Sequence, residues 1–184
     1  MSATIRHDLL VEGTIEARAY QLSALDHCLS ASTLLVLPTG MGKTPIEVMV
    51  LAERLRDPGG RGIMLAPTNA LVNQHLSDLK DLLNLPEDDE IVGLTGAVSP
   101  KKRRIIWESA KIIVATPQVV RNDVVRGTLD LSDCSLLVVP RGICLPNLVI
   151  VSVATNILQV KQRTITLRKE AAARYWPASS PSPW

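Results

Sequence analysis

Short apolar runs of strand length alternate with amphipathic segments along the first 139 residues. The runs are continuously apolar, which is typical of parallel strands covered on both faces rather than of a sheet with one wet face. We therefore predict an α/β fold in which a mainly parallel sheet is flanked by helices. The predicted strands are residues 33–37, 62–66, 91–94, 111–115 and 135–139.

Helices are predicted where apolar residues recur at three- and four-residue spacing. The first should run over residues 15–29. The second should span about residues 44–55, because the turn cluster at 57–60 cannot continue a helix. Three further helices should start at good N-terminal signals, namely Thr68, Ser99-Pro100 and Thr116-Pro117.

Residues 37–44, with the sequence Leu-Pro-Thr-Gly-Met-Gly-Lys-Thr, join the first strand to the second helix and have the character of a phosphate-binding loop. Gly40 and Gly42 permit backbone conformations that a Cβ hinders, so successive N–H groups can converge on one anion. Lys43 can neutralise terminal phosphates, and the Thr44 hydroxyl can ligate Mg²⁺. A helix N-terminus alone contributes about 0.3–2 kcal/mol, against about 8 kcal/mol for micromolar binding, so the whole loop is needed.

We therefore predict that this loop binds ATP and Mg²⁺, with Thr44 as the metal ligand. The alternative is a glycine-containing turn that ends in Lys-Thr by coincidence. Leu37 stands where the general pattern has a glycine. The predicted nucleotide-binding residues of the loop are Thr39, Gly40, Met41, Gly42, Lys43 and Thr44.

Three more polar loops follow predicted strands, at Pro67-Thr68, Thr95-Gly96 and Thr116-Pro117. The carboxyl ends of parallel strands share one edge of a sheet, so these loops should join the phosphate-binding loop in one extended binding surface. Four basic residues, Lys101 to Arg104, occupy the first turn of the helix after Ser99. Cations oppose the helix dipole there, so this turn either contacts a phosphate backbone or is simply solvated.

Composition indicates a folded protein with a sizeable core, since 46% of the 184 residues are hydrophobic. The net charge of +2 is not a nucleic-acid footprint, because residues 1–139 hold 14 basic and 17 acidic residues and residues 140–184 supply the excess. The first 14 residues should be an irregular lead-in, and they lack an apolar signal core, which favours a cytoplasmic location. Three cysteines without a CxxC pair argue against both a disulfide framework and a zinc site.

Five motifs in order resemble the first RecA-like domain of a superfamily 2 DEAD/DEAH-box helicase. The likeness covers about residues 15–139 and is greatest to the archaeal Hef and Fanconi-anaemia FANCM group of DNA translocases, in which Leu37 is normal. The motifs are Arg18-x-Tyr20-Gln21, Leu37 to Thr44, Ala66-Pro67-Thr68-x-x-Leu71-Val72-x-Gln74, Leu94-Thr95-Gly96 and Ala115-Thr116-Pro117-Gln118.

The resemblance implies that Arg18 and Gln21 contact adenine and its surroundings. It implies that the phosphates and Mg²⁺ lie at Lys43 and Thr44, and that the partner is forked or branched DNA. Backbone N–H groups, hydroxyls and helix N-termini suit contacts to a phosphate backbone, which carry no base information. The nucleic-acid-binding residues implied are Pro67, Thr68, Thr95, Gly96, Thr116 and Pro117.

One departure from the family follows Val139. The resemblance implies an Asp-Glu-Ala-His box there, with one carboxylate for Mg²⁺ and one for the attacking water, yet the sequence reads Pro140-Arg141-Gly142-Ile143. Hydrolysis should be mostly lost without them, even if ATP binds. The resemblance also implies a second RecA-like domain, which we do not expect within these 184 residues, so two functions stay open: an incomplete helicase lobe, or a catalytically dead nucleotide- or nucleic-acid-binding module.

Residues 140–184 are predicted to be an irregular tail that is foreign to the helicase. Residues 142–160 carry no charge, but their polar side chains and proline disfavour a membrane span. The string Ser152-Val-Ala154-Thr155 only faintly resembles a helicase Ser-Ala-Thr motif, and residues 177–184 have a disordered composition. The switch in charge and pattern where the acidic box is due supports the hypothesis of a reading-frame shift near codon 140.

Overall fold

A computed structural model describes residues 4–38, 40–56, 61–86, 90–140 and 148–153, with the backbone alone for residues 133, 140 and 148–153. All the described elements belong to one compact unit, residues 1–154. Its helices are α1 (Ala19–Ser30), α2 (Lys43–Leu55), α3 (Asn69–Leu82), α4 (Pro100–Ser109) and α5 (Pro117–Val125). Its strands are β1 (Thr33–Val36), β2 (Arg61–Leu65), β3 (Ile91–Leu94), β4 (Ile112–Ala115), β5 (Cys134–Pro140) and β6 (Leu148–Val153).

The strands form one sheet in the order β1-β6-β5-β2-β4-β3. The pairs β5–β2, β2–β4 and β4–β3 are parallel, whereas β6 is antiparallel to both β5 and β1. Strands β1 to β5 therefore share one direction, and their carboxyl ends lie along one edge. The predicted α/β fold with a mainly parallel sheet is confirmed.

Strand β6 differs from the irregular tail that the sequence led us to expect. Only seven residues, 141–147, separate Pro140 from Leu148. A parallel crossover needs a dozen residues or more, so a connection of this length permits only an antiparallel return. The uncharged stretch at 142–160 thus contains a strand, and no helix among the described residues is long and apolar enough to cross a membrane.

Helix α2 is enclosed by the rest of the fold, which is why its sequence is apolar on nearly every face. Seven consecutive residues, from Ile46 to Ala52, are buried, and Glu47 is the one polar residue among them. The helix lies so close to β2 that a Cβ added at Gly62 would stand 2.8 Å from Leu51 Cδ2. The phosphate-binding loop at its N-terminus is therefore built on a helix with little freedom to move.

The lead-in is attached to the core by backbone hydrogen bonds. The Val11 N–H lies 3.0 Å from Leu82 O at the end of α3, and the Ile5 N–H lies 2.9 Å from Ile15 O. Leu10 and Ile15 are buried. Helix α1 starts at Ala19 and not at Ile15 as predicted, because Ile15 lies at a bend and Glu16 pairs with Thr4 in an isolated bridge.

Candidate nucleotide and nucleic-acid sites

The loop between β1 and α2 adopts the backbone conformation that its glycines were predicted to allow. Gly40 has φ of 81° and Gly42 has φ of 70°, both in the left-handed region that side-chain-bearing residues rarely enter. Gly42 is the N-cap of α2, and the Met41 N–H lies 3.3 Å from Pro38 O. The chain thus turns tightly and brings the free N–H groups of the first turn of α2 to the loop.

Lys43 reaches back across this loop. Its Nζ lies 2.8 Å from Leu37 O and 3.0 Å from Pro38 O. Both acceptors are neutral carbonyls, whereas a phosphate oxygen is negatively charged and attracts the ammonium group more strongly. The ammonium group is therefore positioned to exchange these carbonyls for the phosphates of a nucleotide.

Helix α1 supports the loop through two neighbouring side chains. The Tyr20 hydroxyl donates to Met41 O over 2.8 Å, and Gln21 Nε2 donates to Gly42 O over 3.3 Å. Gln21 is buried, and its Oε1 has no hydrogen-bond partner among the described residues. The sequence pointed to Gln21 as a site residue but left Tyr20 out, although both belong to the same motif.

Arg18 lies at the exposed margin of this group. Its guanidinium donates to Glu16 over 3.0 Å and to the Tyr20 hydroxyl over 3.4 Å. The hydrogen bonds that Arg18 donates to Tyr20 and Glu16 raise its pKa, and arginine is in any case always charged in proteins. The structure thus brings Arg18 and Gln21 to the loop that contains Gly42 and Lys43.

The residues fit a bound Mg-nucleotide only in part. Thr44 lies in the first turn of α2 and is half-buried, while Thr39 lies outside the described residues. The part of the chain that the structure describes contains no group of three or more His, Cys, Asp or Glu side chains that could hold a metal. Mg²⁺ at this loop would therefore depend on the Thr44 hydroxyl and on the oxygens of the nucleotide itself.

The other three polar loops lie side by side at the ends of β2, β4 and β3. After β2, Pro67 is half-buried and the exposed Thr68 caps α3, with its Oγ1 3.3 Å from the Leu71 N–H. The first turn of α3 thus presents its remaining N–H groups at this edge. This is the N-cap that the sequence predicted.

After β3, Thr95 and the exposed Gly96 form a short turn. The Val98 N–H lies 3.1 Å from Thr95 O, and the Ala97 N–H lies 3.4 Å from Thr95 Oγ1. We refer to residues 95–98 as the β3 turn. A Cβ at Gly96 would have nothing within 4 Å, so a ligand could approach this backbone closely.

After β4, the helix α5 starts directly at Pro117. Thr116 is its N-cap residue and is buried, so its side chain is not presented at the surface. Its N–H donates to Leu94 O over 3.3 Å, which joins the ends of β4 and β3. A phosphate at this position would meet Pro117 and the N–H groups of the first turn of α5.

Among the described residues, the four loops fall into two regions along this edge of the sheet. Strands β6 and β5 separate β1, which leads to the phosphate-binding loop, from β2. Three strand spacings of about 4.8 Å put roughly 14 Å between β1 and β2. The end of β5, where the resemblance implies the acidic box, lies between the two regions.

The four basic residues in the first turn of α4 lie in different environments. Lys101 and Lys102 are exposed, and Arg104 is exposed and pairs with Glu108 over 3.2 Å. Arg103, however, is buried and binds Asp123 of α5 with two hydrogen bonds of 2.7 Å each. Neither alternative that the sequence offered, phosphate contact or solvation, describes Arg103.

Asp123 is the acceptor at the centre of this buried group. Trp107 Nε1 donates to its Oδ2 over 2.9 Å. The hydrogen bonds from Arg103 lower the pKa of Asp123, burial opposes this shift, and the bond from Trp107 adds to it. The sequence did not predict this buried group, because no local feature distinguishes Arg103 from the basic residues beside it.

Comparison with known proteins decides the family. The family model of the DEAD/DEAH box helicases matches residues 18–139 of the chain. The chain belongs to the DEAD/DEAH box helicase family. Helicases of this family use ATP, typically with Mg²⁺.

The relatives include proteins named for both nucleic acids. An ATP-dependent RNA helicase of Methanocaldococcus jannaschii is 42% identical over 134 residues, which are 73% of this chain and 17% of that protein. The DEAD-box ATP-dependent DNA helicase Fancm of Drosophila melanogaster is 36% identical over 118 residues, 64% of this chain and 8% of that protein. This chain therefore spans less than a fifth of these relatives.

The Hef helicase domain of Pyrococcus furiosus is a similar solved structure. It matches with a TM-score of 0.67 and 43% sequence identity, over 72% of this chain and 28% of that one. The helicase lobe is thus of the Hef and FANCM type, as its motifs indicated. The family match ends at Val139, immediately before the departure at Pro140.

Proposed function

We propose that residues 15–139 are the ATP-binding lobe of an ATP-dependent DNA helicase or translocase that acts on forked or branched DNA. The observation that carries this proposal is the arrangement of Lys43 across the glycine loop, with Gln21 against Gly42. The two regions of the sheet edge then have different binding roles. The loop after β1 binds the nucleotide, and the loops after β2, β3 and β4 contact the nucleic-acid backbone.

In this proposal each group has a distinct task. Lys43 neutralises the terminal phosphates, the N–H groups of α2 contact them, and Gln21 and Arg18 lie beside the base. The Thr44 hydroxyl would hold Mg²⁺, which would supply charge neutralisation to the leaving group. Gln21 also fixes the loop through Gly42 O, so base contact and loop geometry are joined in one side chain.

Hydrolysis by this polypeptide should be weak. The resemblance implies that two carboxylates position the metal and the attacking water, and the sequence at the end of β5 is Val139-Pro140-Arg141 instead. Positioning of these two components accounts for most of the catalysis in phosphoryl transfer. We therefore propose that ATP-Mg²⁺ binds and is turned over poorly. Residues 140–184 would then be a tail joined by a reading-frame shift, and the end of the family match at Val139 supports this.

Nucleotide binding is tested by titrating a fluorescent ATP analogue into the full chain and into Lys43→Ala. The loss of the ammonium group should weaken binding at least about tenfold, equivalent to 1.4 kcal/mol. Lys80→Ala is the matched control, because Lys80 is exposed on α3 and away from the loop. Equal affinity of Lys43→Ala and the native chain would refute the assignment of the loop.

Forked DNA separates the two functions that the sequence left open, because only a helicase lobe should couple DNA binding to the nucleotide. A malachite-green assay with and without forked DNA should give little release from this chain. A strong DNA-stimulated release would contradict the proposal that hydrolysis is lost. DNA binding without any effect of nucleotide would favour the alternative, a catalytically dead binding module.

A further inference from the structure

Arg103 uses three of its donor groups on two separate elements. Nε and Nη2 bind the two carboxylate oxygens of Asp123 over 2.7 Å each. The third donor, Nη1, binds Val98 O over 2.6 Å. One buried guanidinium thus connects the β3 turn, which contains Thr95 and Gly96, with the helix α5 that starts at Pro117.

The carboxylate side of this connection is rigid. Asp123 has an exposed fraction of 1% and also accepts from Trp107 Nε1. Its backbone oxygen accepts from the N–H and the hydroxyl of Thr128 over 2.9 and 3.0 Å. Asp123 is therefore held both by its side chain and by its backbone, and it can serve as a fixed point for Arg103.

The β3 turn has weaker bonds of its own. Its internal hydrogen bonds are 3.1 Å from Val98 N to Thr95 O and 3.4 Å from Ala97 N to Thr95 Oγ1. The bond from Arg103 to Val98 O is shorter and comes from a charged donor, so it is the stronger contact. The position of this exposed turn relative to α5 thus depends on a side chain that no ligand can touch.

We propose that Arg103 is a positioning residue for nucleic-acid binding, because it holds the β3 turn at a fixed distance from the N-terminus of α5. This inference rests on the proposed function, in which both elements contact one phosphate backbone. Phosphates along a strand are regularly spaced, so two elements can bind them together only if their separation matches. Arg103 sets that separation from its buried position between the two elements, without contacting the nucleic acid.

Lysine could not replace arginine in this role. The planar fork of a guanidinium satisfies both oxygens of a carboxylate and still directs another N–H elsewhere, whereas an ammonium is a single point charge. Arg103→Lys therefore keeps the charge of the protein but loosens the bond to Val98 or the bond to Asp123. Arg104→Lys is the matched control. Arg104 is the exposed neighbour of Arg103, and the substitution keeps its charge and its ability to pair with Glu108.

The test measures the affinity of the full chain for a fluorescein-labelled forked DNA over a range of salt concentrations. Each phosphate contact contributes about 0.7–0.9 to the slope of log Kd against log salt, or about five- to eightfold in affinity at 0.1 M salt. Arg103→Lys should lose about one such contact, while its affinity for the ATP analogue stays native. Arg104→Lys should match the native chain in both measurements.

The outcomes separate the two proposals. If the native chain does not bind forked DNA, the proposed function fails and this inference fails with it. If the native chain binds and Arg103→Lys has the same slope, Arg103 is merely structural and the inference alone is overturned. If Arg103→Lys does not fold, as shown by loss of nucleotide binding, Asp123→Asn takes its place, since it retains an acceptor for Trp107, and it must show the same reduced slope.

Discussion

Gln21 Nε2 lies 3.3 Å from Gly42 O, and a Cβ added at Gly42 would lie only 2.3 Å from the same nitrogen. The first helix and the phosphate-binding loop are therefore in contact across a space that admits no side chain. This contact makes the position of the loop depend on α1, which lies about 20 residues earlier in the chain.

Gly42→Ala should abolish most nucleotide binding. The new methyl group displaces the end of the Gln21 side chain from Gly42 O, and it forces a side-chain-bearing residue into the left-handed region, which strains the loop. We expect the affinity for an ATP analogue to fall at least about tenfold, equivalent to 1.4 kcal/mol. Gly127→Ala is the control, because Gly127 has φ of 68° but nothing within 4 Å. The control should lose stability and keep its affinity; a similar loss of affinity in both would show that backbone strain alone explains the result.

Acidification should weaken the attachment of the lead-in through His7. Burial is the main cause that lowers the pKa of His7 below 6.5, and Arg56 lowers it further, while Glu53 and Asp8 oppose the shift. The unfolded chain therefore takes up a proton on His7 that the folded chain resists. The free energy of unfolding should fall as the pH drops through 6.5 towards the folded pKa.

Urea unfolding at pH 7.5 and pH 5.5 measures this effect. His7→Asn should reduce the difference in unfolding free energy between the two pH values, because the titrating group is gone. His27→Gln, at an exposed position on α1, should leave the difference as it is in the native chain. An unchanged difference in His7→Asn would assign the acid sensitivity to other groups.

Removal of Asp123 should be among the most damaging changes to stability. Asp123→Ala leaves the buried guanidinium of Arg103 and the Trp107 N–H without their acceptor. Breaking a buried ion pair from one side costs about 3–5 kcal/mol. Chemical denaturation should show this loss at neutral pH, with Asp130→Ala as an exposed control that costs far less. A loss below about 1 kcal/mol would place the pair in the range of surface ion pairs.

A proline in β6 should detach β1, and with it the phosphate-binding loop, from the sheet. In the described part of the chain β1 pairs only with β6, and Ile150 stands opposite Leu34 on one side and Val139 on the other. Ile150→Pro removes a backbone donor from the interior of the sheet, where proline is not tolerated. Affinity for the ATP analogue should fall, whereas Ile150→Val, which keeps the N–H, should retain it. Native affinity in Ile150→Pro would mean that β1 does not need β6.

The sequence predicted the parts of the fold that depend on local pattern. The strand at Ile91–Leu94 and the helix capped by Thr68 came directly from an apolar run and a capping residue. The residues that contact the loop from α1 were reached through the family motif. These signals succeed because strand, cap and turn preferences act over a few neighbouring residues.

The remainder required contacts between distant positions. The burial of Arg103 depends on Asp123, 20 residues away, and a charged residue in an amphipathic helix otherwise indicates an exposed face. The strand β6 was missed because the departure from the family pattern at Pro140 led us to expect an irregular tail, although the turn signal Pro146-Asn147 directly precedes its apolar run. The early start predicted for α1 was wrong because Ile15, an apolar residue at helical spacing, is buried at a bend before the helix.

The direction of β6 determines where the polypeptide leaves the domain. Val153 pairs with Leu136 near the beginning of β5, so the strand ends at the margin of the sheet opposite to the ligand-binding loops. A parallel strand in the same place would deliver the chain beside the bound nucleotide. Val153, the last described residue of β6, therefore lies at the opposite edge of the sheet from the loop that contains Lys43.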